Sequence, residues 1–224
     1  MTETPTPPPE LPVRIDPAHW IGTLDGIASD ETLRRWCRQP RFQHRLAERL
    51  QRRHDLPAQA ELPPRDPIDQ ALCLLDEDAL TACTRAAGII FHAGALVREI
   101  RAPRVAAVKQ RFGTDLYALA LAKREHGQTG DSDLGDLDAF EAEVEQDGRR
   151  CLLAWADAQP ATLRAWLRLG WFGRLERDAG AEANAGAVEI ARLAAADRLA
   201  SGTEDAAQDQ PDEPAAPSRG SEQP

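Results

Sequence analysis

The stretch "DALTACTRAAGIIFHAGALVREI", residues 78–100, decides the fold. On a helix turning about 100° per residue, Cys83, Ala87, Ile90, Gly94 and Val97 gather on one side. Ile89, Ala93, Leu96 and Ile100 widen that apolar face, and Thr81, Arg85, Gly88, His92 and Glu99 share the opposite side. The pattern is that of a helix packed against other helices. His92 falls in the middle of the polar stripe, which predicts a surface or interface position. No cysteine or second histidine stands three or four residues from it, the spacing that metal pairs on a helix use, so no metal or catalytic role is expected.

Outward from this helix, composition points the same way. The 224 residues hold 39 alanines and 25 leucines but only 14 valines and isoleucines together. Alanine and leucine lose little freedom in a helix, whereas β-branched side chains lose more. The net charge of −10 repels nucleic acid and anionic lipid unless one face is locally basic. Cys37, Cys73, Cys83 and Cys151 form no CxxC pair and read as small core residues of a reduced, cytosolic protein. The N-terminal "MTETPTPPPELP" has no apolar core of a signal peptide, and no uncharged run approaches the roughly 20 residues of a membrane helix.

Punctuation divides the chain. Residues 1–12 and the acidic stretch 201–224 read as disordered tails, and 13–200 as one irregular all-α domain with several helices. A short helix is expected after Asp16-Pro17 and another from Asp30 to Arg38. Pro40 suits the start of a helix over Arg41–His54, and Pro57 its end. Helices at 66–75 and 78–100 follow, the second with Asp78 as N-cap. Pro103 permits a helix ending at Gly113, Thr114 caps the next, and further helices run over 136–158 and from Pro160 to about 170. The stretch "NAGAVEIARLAAADRLA" (184–200) is helical, but its alanines predict weak packing.

Motifs for chemistry are sparse. HExxH, GxSxG, GxxxxGK and GxGxxG are absent, and no cofactor is expected. "DSDLGDLD" (131–138) fails as a calcium loop, because Asp136 stands where glycine is needed and Ala142 where glutamate is needed. Two features remain as contact candidates. Arg41, Arg45, Arg49 and Arg52 form a stripe beside Phe42, Leu46 and Leu50; with Arg34, Arg35, Arg38 and Arg53 they set eight arginines against Glu48 alone. Such a stripe is a solvated face, a dock for an acidic protein surface or a phosphate-binding face. Trp171 and Phe172 follow a helix, where an exposed aromatic pair anchors a partner or closes the end of a bundle.

Residues 78–125 resemble the SctK (YscK-like) accessory family of type III secretion systems. The likeness lies in "GIIFHA", Leu96, the arginine-rich turn, a helix ending in Phe112-Gly113 and "DLYALAL". "CLLAWADAQPATLRAWLRLGWF" (151–172) is similar to the family's second segment, although its ending at Leu169-Gly170-Trp171-Phe172 departs from the family's Leu-Lys-Leu-Pro-like pattern. The resemblance implies a non-enzymatic, helical cytosolic adaptor, peripheral to the inner membrane through the secretion apparatus. Its implied partners are an SctD-like ring protein and the SctQ-like pods of the sorting platform. A helical protein gripping nucleic acid by the arginine stripe, or a helical enzyme with a site built from residues distant in sequence, are the alternatives.

Overall fold

The computed structural model describes residues 11–16, 18–19, 40–128, 133–175 and 185–208; the side chains of 40–44, 46 and 201–208 lie outside that description. The helix expected over Asp30–Arg38 and most of the two expected tails fall outside it too. In chain order the described helices are α1 (Pro40–His54), α2 (Pro67–Cys73), α3 (Glu77–Phe91), α4 (Ala93–Arg98) and α5 (Ala102–Phe112). They continue with α6 (Thr114–Ala122), α7 (Leu137–Ala158), α8 (Ala161–Leu167) and α9 (Ala185–Gln208). Short 3-10 turns occupy Gln59–Glu61, Arg124–His126 and Trp171–Arg174. Among the described residues the extended backbone pairs only as an isolated bridge, so the fold is all-α.

Local chemistry sets the helix ends. Pro67 and Pro103 stand in the first turns of α2 and α5, where the missing N–H is no loss. Asp76, not Asp78, caps α3 by accepting 2.8 Å from the Ala79 N–H. Asp136 caps α7 from both Asp138 and Ala139 N–H. Thr114 lies inside α6. The residue before it, Gly113, ends α5 at φ 93°, a left-handed conformation that glycine tolerates.

The 78–100 segment packs centrally but is not one helix. α3 stops at His92, whose carbonyl accepts the Ala95 and Leu96 N–H groups as α4 begins. The break changes the phase of the chain. Beyond it Val97 and Ile100, expected on the apolar face, are exposed, whereas Gly88 and His92, expected on the polar stripe, are buried where they meet α7.

α3, α7 and α9 pack against one another and form the heart of the fold. α3 and α7 meet at glycines: a Cβ on Gly88 would fall 1.9 Å from the Val144 carbonyl oxygen, and one on Gly148 would fall 2.0 Å from that of Thr84. Neither backbone has room for a side chain at the crossing. The Thr84 hydroxyl, buried beside it, donates to the Leu80 carbonyl at 2.8 Å and leaves no unsatisfied polar atom. α9 packs more closely than its composition suggests. Ala187, Ile190, Ala191, Ala194 and Ala195 are buried along one stripe, and the small side chains bring its backbone close to α3 and α7.

Polar contacts fasten the periphery. Asp69 on α2 accepts from Trp155 Nε1 at 2.9 Å and from Arg192 Nη1 at 3.2 Å, joining α2, α7 and α9. Trp166 Nε1 donates to the Pro57 carbonyl at 3.1 Å. Near the N-terminus, Val13 and Ile15 are buried, Arg14 N–H donates to the Cys73 carbonyl and Asp16 N–H to that of Leu169. The buried Asp16 carboxylate grips the Arg174 guanidinium with both oxygens. A second apolar cluster, with Ile89, Leu96, Val108, Phe112, Tyr117 and Phe140, sits where α4, α5 and α6 meet the start of α7. Among the described residues, no helix is long and apolar enough to cross a membrane.

Replacing Gly88 or Gly148 with alanine forces the crossing apart, and each change is expected to cost at least about 1–3 kcal/mol. Ala142→Ser, on the exposed side of α7, is expected to stay within about 0.5 kcal/mol of wild type. Urea unfolding followed by circular dichroism checks both, and wild-type stability in the two glycine variants would contradict so close a contact.

Candidate interaction surfaces

α1 carries the arginine stripe. Ala47 and Leu50 face inward, while Arg45, Arg49, Arg52 and Arg53 are exposed. Arg52 reaches back one turn to Glu48 at 3.4 Å, a solvent-exposed pair that adds only a few tenths of a kcal/mol. Arg52, Arg53 and His54 also lie in the last turn, where positive charge complements the helix dipole. That gives some of the stripe a structural use. Arg41 is within α1, but its side chain, like those of Phe42 and Leu46, is outside the described residues, as are Arg34, Arg35 and Arg38 altogether.

The aromatic pair at the C-terminal end divides. Phe172 is only 7% exposed, with its ring centroid 5.3 Å from that of the fully buried Trp155. It closes the end of the bundle, so an exposed pair is not what the fold presents. Trp171 is half-buried, and the Arg174 guanidinium lies 4.5 Å from its ring centroid while the same side chain holds Asp16. Beside them is a groove of about 540 Å³. Leu153, Leu167 and Phe172 contribute apolar walls, and Asp157, Arg164 and Arg168 contribute charge.

His92 is a buried partner, not a surface group. Its Nε2 lies 3.0 Å from Asp147 Oδ2, and its ring meets Phe91 and Phe140 edge-on with centroids 5.3 Å away in each case. Asp147 also accepts from Arg150 at 2.7 Å. Burial alone would raise the Asp147 carboxyl, but hydrogen bonds from His92 and Arg150 and their positive charge prevail and lower its pKa. The pair bridges the α3–α4 break to α7. In geometry it is a clamp between helices, with its second carboxylate oxygen committed to Arg150. Glu141, nearer the start of α7, has a similar role, paired with Arg85 of α3 and with Arg111 of α5.

Cys73, Cys83 and Cys151 are buried free thiols, with Cys83 and Cys151 pushed up to about 12 by burial. Cys37 is outside the described residues. Among those described, no group of three or more histidine, cysteine or acidic side chains is arranged to hold a metal. In "DSDLGDLD", Asp133 accepts from Gly135 N–H at 2.7 Å and Asp136 caps α7; Asp131 lies outside the description.

One exposed feature does not follow from the sequence pattern. The turn between α4 and α5 places Ile100 90% exposed among Arg98, Arg101 and Arg104. Pro103 and the flanking arginines mark a turn, but a continuous helix through residue 100 turns the isoleucine inward.

Against known proteins, the chain is 31% identical over 78 residues to "Nodulation protein NolU" of Rhizobium fredii and, to the same extent, to the protein of that name from Sinorhizobium fredii. The match takes in 35% of this chain and 36% of each relative, so it spans about a third of the length of the curated relatives it matches. No protein-family model matches the chain, and no solved structure matches it.

The clamp has a pH signature. Because the folded state lowers the Asp147 pKa, its contribution is complete above the ordinary value of 3.8 and is lost as the pH falls through the folded value. Asp147→Asn is therefore expected to be less stable than wild type near neutrality, by about 1–3 kcal/mol. The gap should narrow on acidification below about pH 4. Unfolding midpoints across that range check it, and parallel acid limbs would contradict the assignment.

Proposed function

We propose that this protein is a non-enzymatic adaptor of a type III secretion apparatus, joining an SctD-like inner-membrane ring protein to SctQ-like pods of the sorting platform. The observation that carries the reading is the resemblance of residues 78–125 and 151–172 to the SctK family. Those two segments supply α3 to α6, the last third of α7 and α8, and leave out α1, α2 and α9. The partial likeness to rhizobial nodulation proteins supports a role in an encounter between a bacterium and a host. The chemistry of the fold suits such a role. The buried Asp16 and His92 and the half-buried Asp69 and Asp147 are spent on fastening the fold together, and Arg45, Arg49 and Arg52 of the stripe face outward.

In this reading the exposed arginines of α1 meet an acidic partner surface, with Arg41 belonging to the same stripe, and the half-exposed Trp171 with Phe172 behind it forms a second contact. Long-range attraction then speeds encounter, and burial of the aromatic edge holds the complex.

Two experiments test this. Affinity purification of the tagged chain from its own cells after cross-linking is expected to recover the ring protein and the pod subunit; recovery of neither would contradict the adaptor reading, and salt-sensitive nucleic acid in their place would favour the alternative use of the stripe. Arg45→Glu combined with Arg49→Glu is expected to weaken one of the two interactions at least tenfold at physiological salt with the fold intact. Unchanged binding to both would dismiss the stripe as a contact.

A further inference from the structure

The turn between α4 and α5 presents an apolar residue that the fold holds out in solvent. Ile100 is 90% exposed, while the other exposed large hydrophobics among the described residues, Leu74, Val97, Leu121 and Leu199, lie between 36% and 45%. The turn is held from beneath. Glu99, whose side chain is 5% exposed, accepts from both the backbone N–H and Nε of Arg101 at 2.8 Å, and Arg104 Nη1 lies 3.6 Å away. These hydrogen bonds, with the positive charge of the two arginines, bring the Glu99 pKa down to about 2, so the clamp is ionised throughout the physiological range. Glu99 and Arg101 are both in extended backbone, which leaves Ile100 at the apex.

We infer that this turn is a docking knob, in which Ile100 enters an apolar recess on a protein partner and Arg98, Arg101 and Arg104 meet carboxylates around its rim. The inference deepens the adaptor reading and rests on it for the kind of partner, a protein. Two features favour that occupant. The knob is pre-organised by Glu99, so little ordering entropy is lost on docking. Arg98, Arg101 and Arg104 outnumber Glu99 and Asp133 at the turn, so it is locally positive on a chain of net charge −10, which selects an acidic counterpart at short range. A lipid surface fits less well, because one isoleucine supplies little insertion and the cleft of about 200 Å³ beside the turn also displays Asp133. Nucleic acid fits less well for want of an exposed aromatic at the turn to stack on a base.

The test places a photo-crosslinking amino acid at position 100 of the full chain in its own cells and maps the adduct. The expected result is a protein adduct on an apolar recess flanked by Asp or Glu. Binding of that protein, purified, should fall about ten- to a hundredfold with Ile100→Ser, stay near wild type with Ile100→Leu, and weaken as salt rises. An adduct on a ring or pod subunit supports both readings. An adduct on an unrelated acidic protein that passes the same binding tests keeps the knob and contradicts the injectisome assignment. No protein adduct, an adduct to lipid or nucleic acid alone, or undiminished binding by Ile100→Ser at an unchanged melting temperature would overturn the knob.

Discussion

The contact on which the structure depends is the crossing of α3 and α7 at Gly88 and Gly148. Each glycine faces a carbonyl of the opposite helix at a distance no Cβ could occupy. Because the axes come so close, the side chains on either side of the crossing mesh directly: Cys83, Ile90, Cys151 and Trp155 toward one cluster, Ile89, Phe140 and Val144 toward the other. α9 completes the triangle in the same way, with alanines where larger residues would hold the backbones apart. Small residues thus set how closely the three helices approach, and large buried side chains such as Trp155, Phe140 and Ile190 fill the space beside them.

Around that heart the polar groups act as cross-braces. The His92–Asp147 pair ties the α3–α4 break to α7, Asp69 gathers α2, α7 and α9, and Asp16 with Arg174 fastens the N-terminal segment to the turn after α8. Breaking one partner of such a pair leaves a buried group unsatisfied, so each brace resists local opening. Rigidity of this kind suits a spacer whose job is to hold two other proteins at a set distance. The exposed arginines of α1 and the α4–α5 turn then stand as features of its surface without a share in the packing of its core.

Much of the helix order was legible in the sequence, because it is set by local stereochemistry: Pro40, Pro103, Gly113, Asp136 and Pro160 each mark an end that the structure places within a few residues. What escaped was tertiary. A periodicity plot treats Gly88 as a weakly polar position, yet a residue without a side chain is what allows the tightest contact. The same pattern turns His92 outward, whereas it is buried against Asp147. The break at His92 then shifted the phase and misplaced Val97 and Ile100. The same blindness to small residues made α9 look weakly packed. Of the candidate contacts, the outward stance of Arg45, Arg49 and Arg52 followed from spacing alone, whereas the burial of Phe172 depends on Trp155, seventeen residues earlier in the chain and visible only once the chain is folded.

The adaptor account makes a claim about simultaneity: one rigid body with separate faces holds two partners at once. Sedimentation velocity on the purified chain mixed with an SctD-like cytoplasmic domain and an SctQ-like subunit tests it most directly. The account predicts a ternary species heavier than either pair, formed only when this chain is present. Two binary complexes that compete for the chain, or no complex at all, would contradict it.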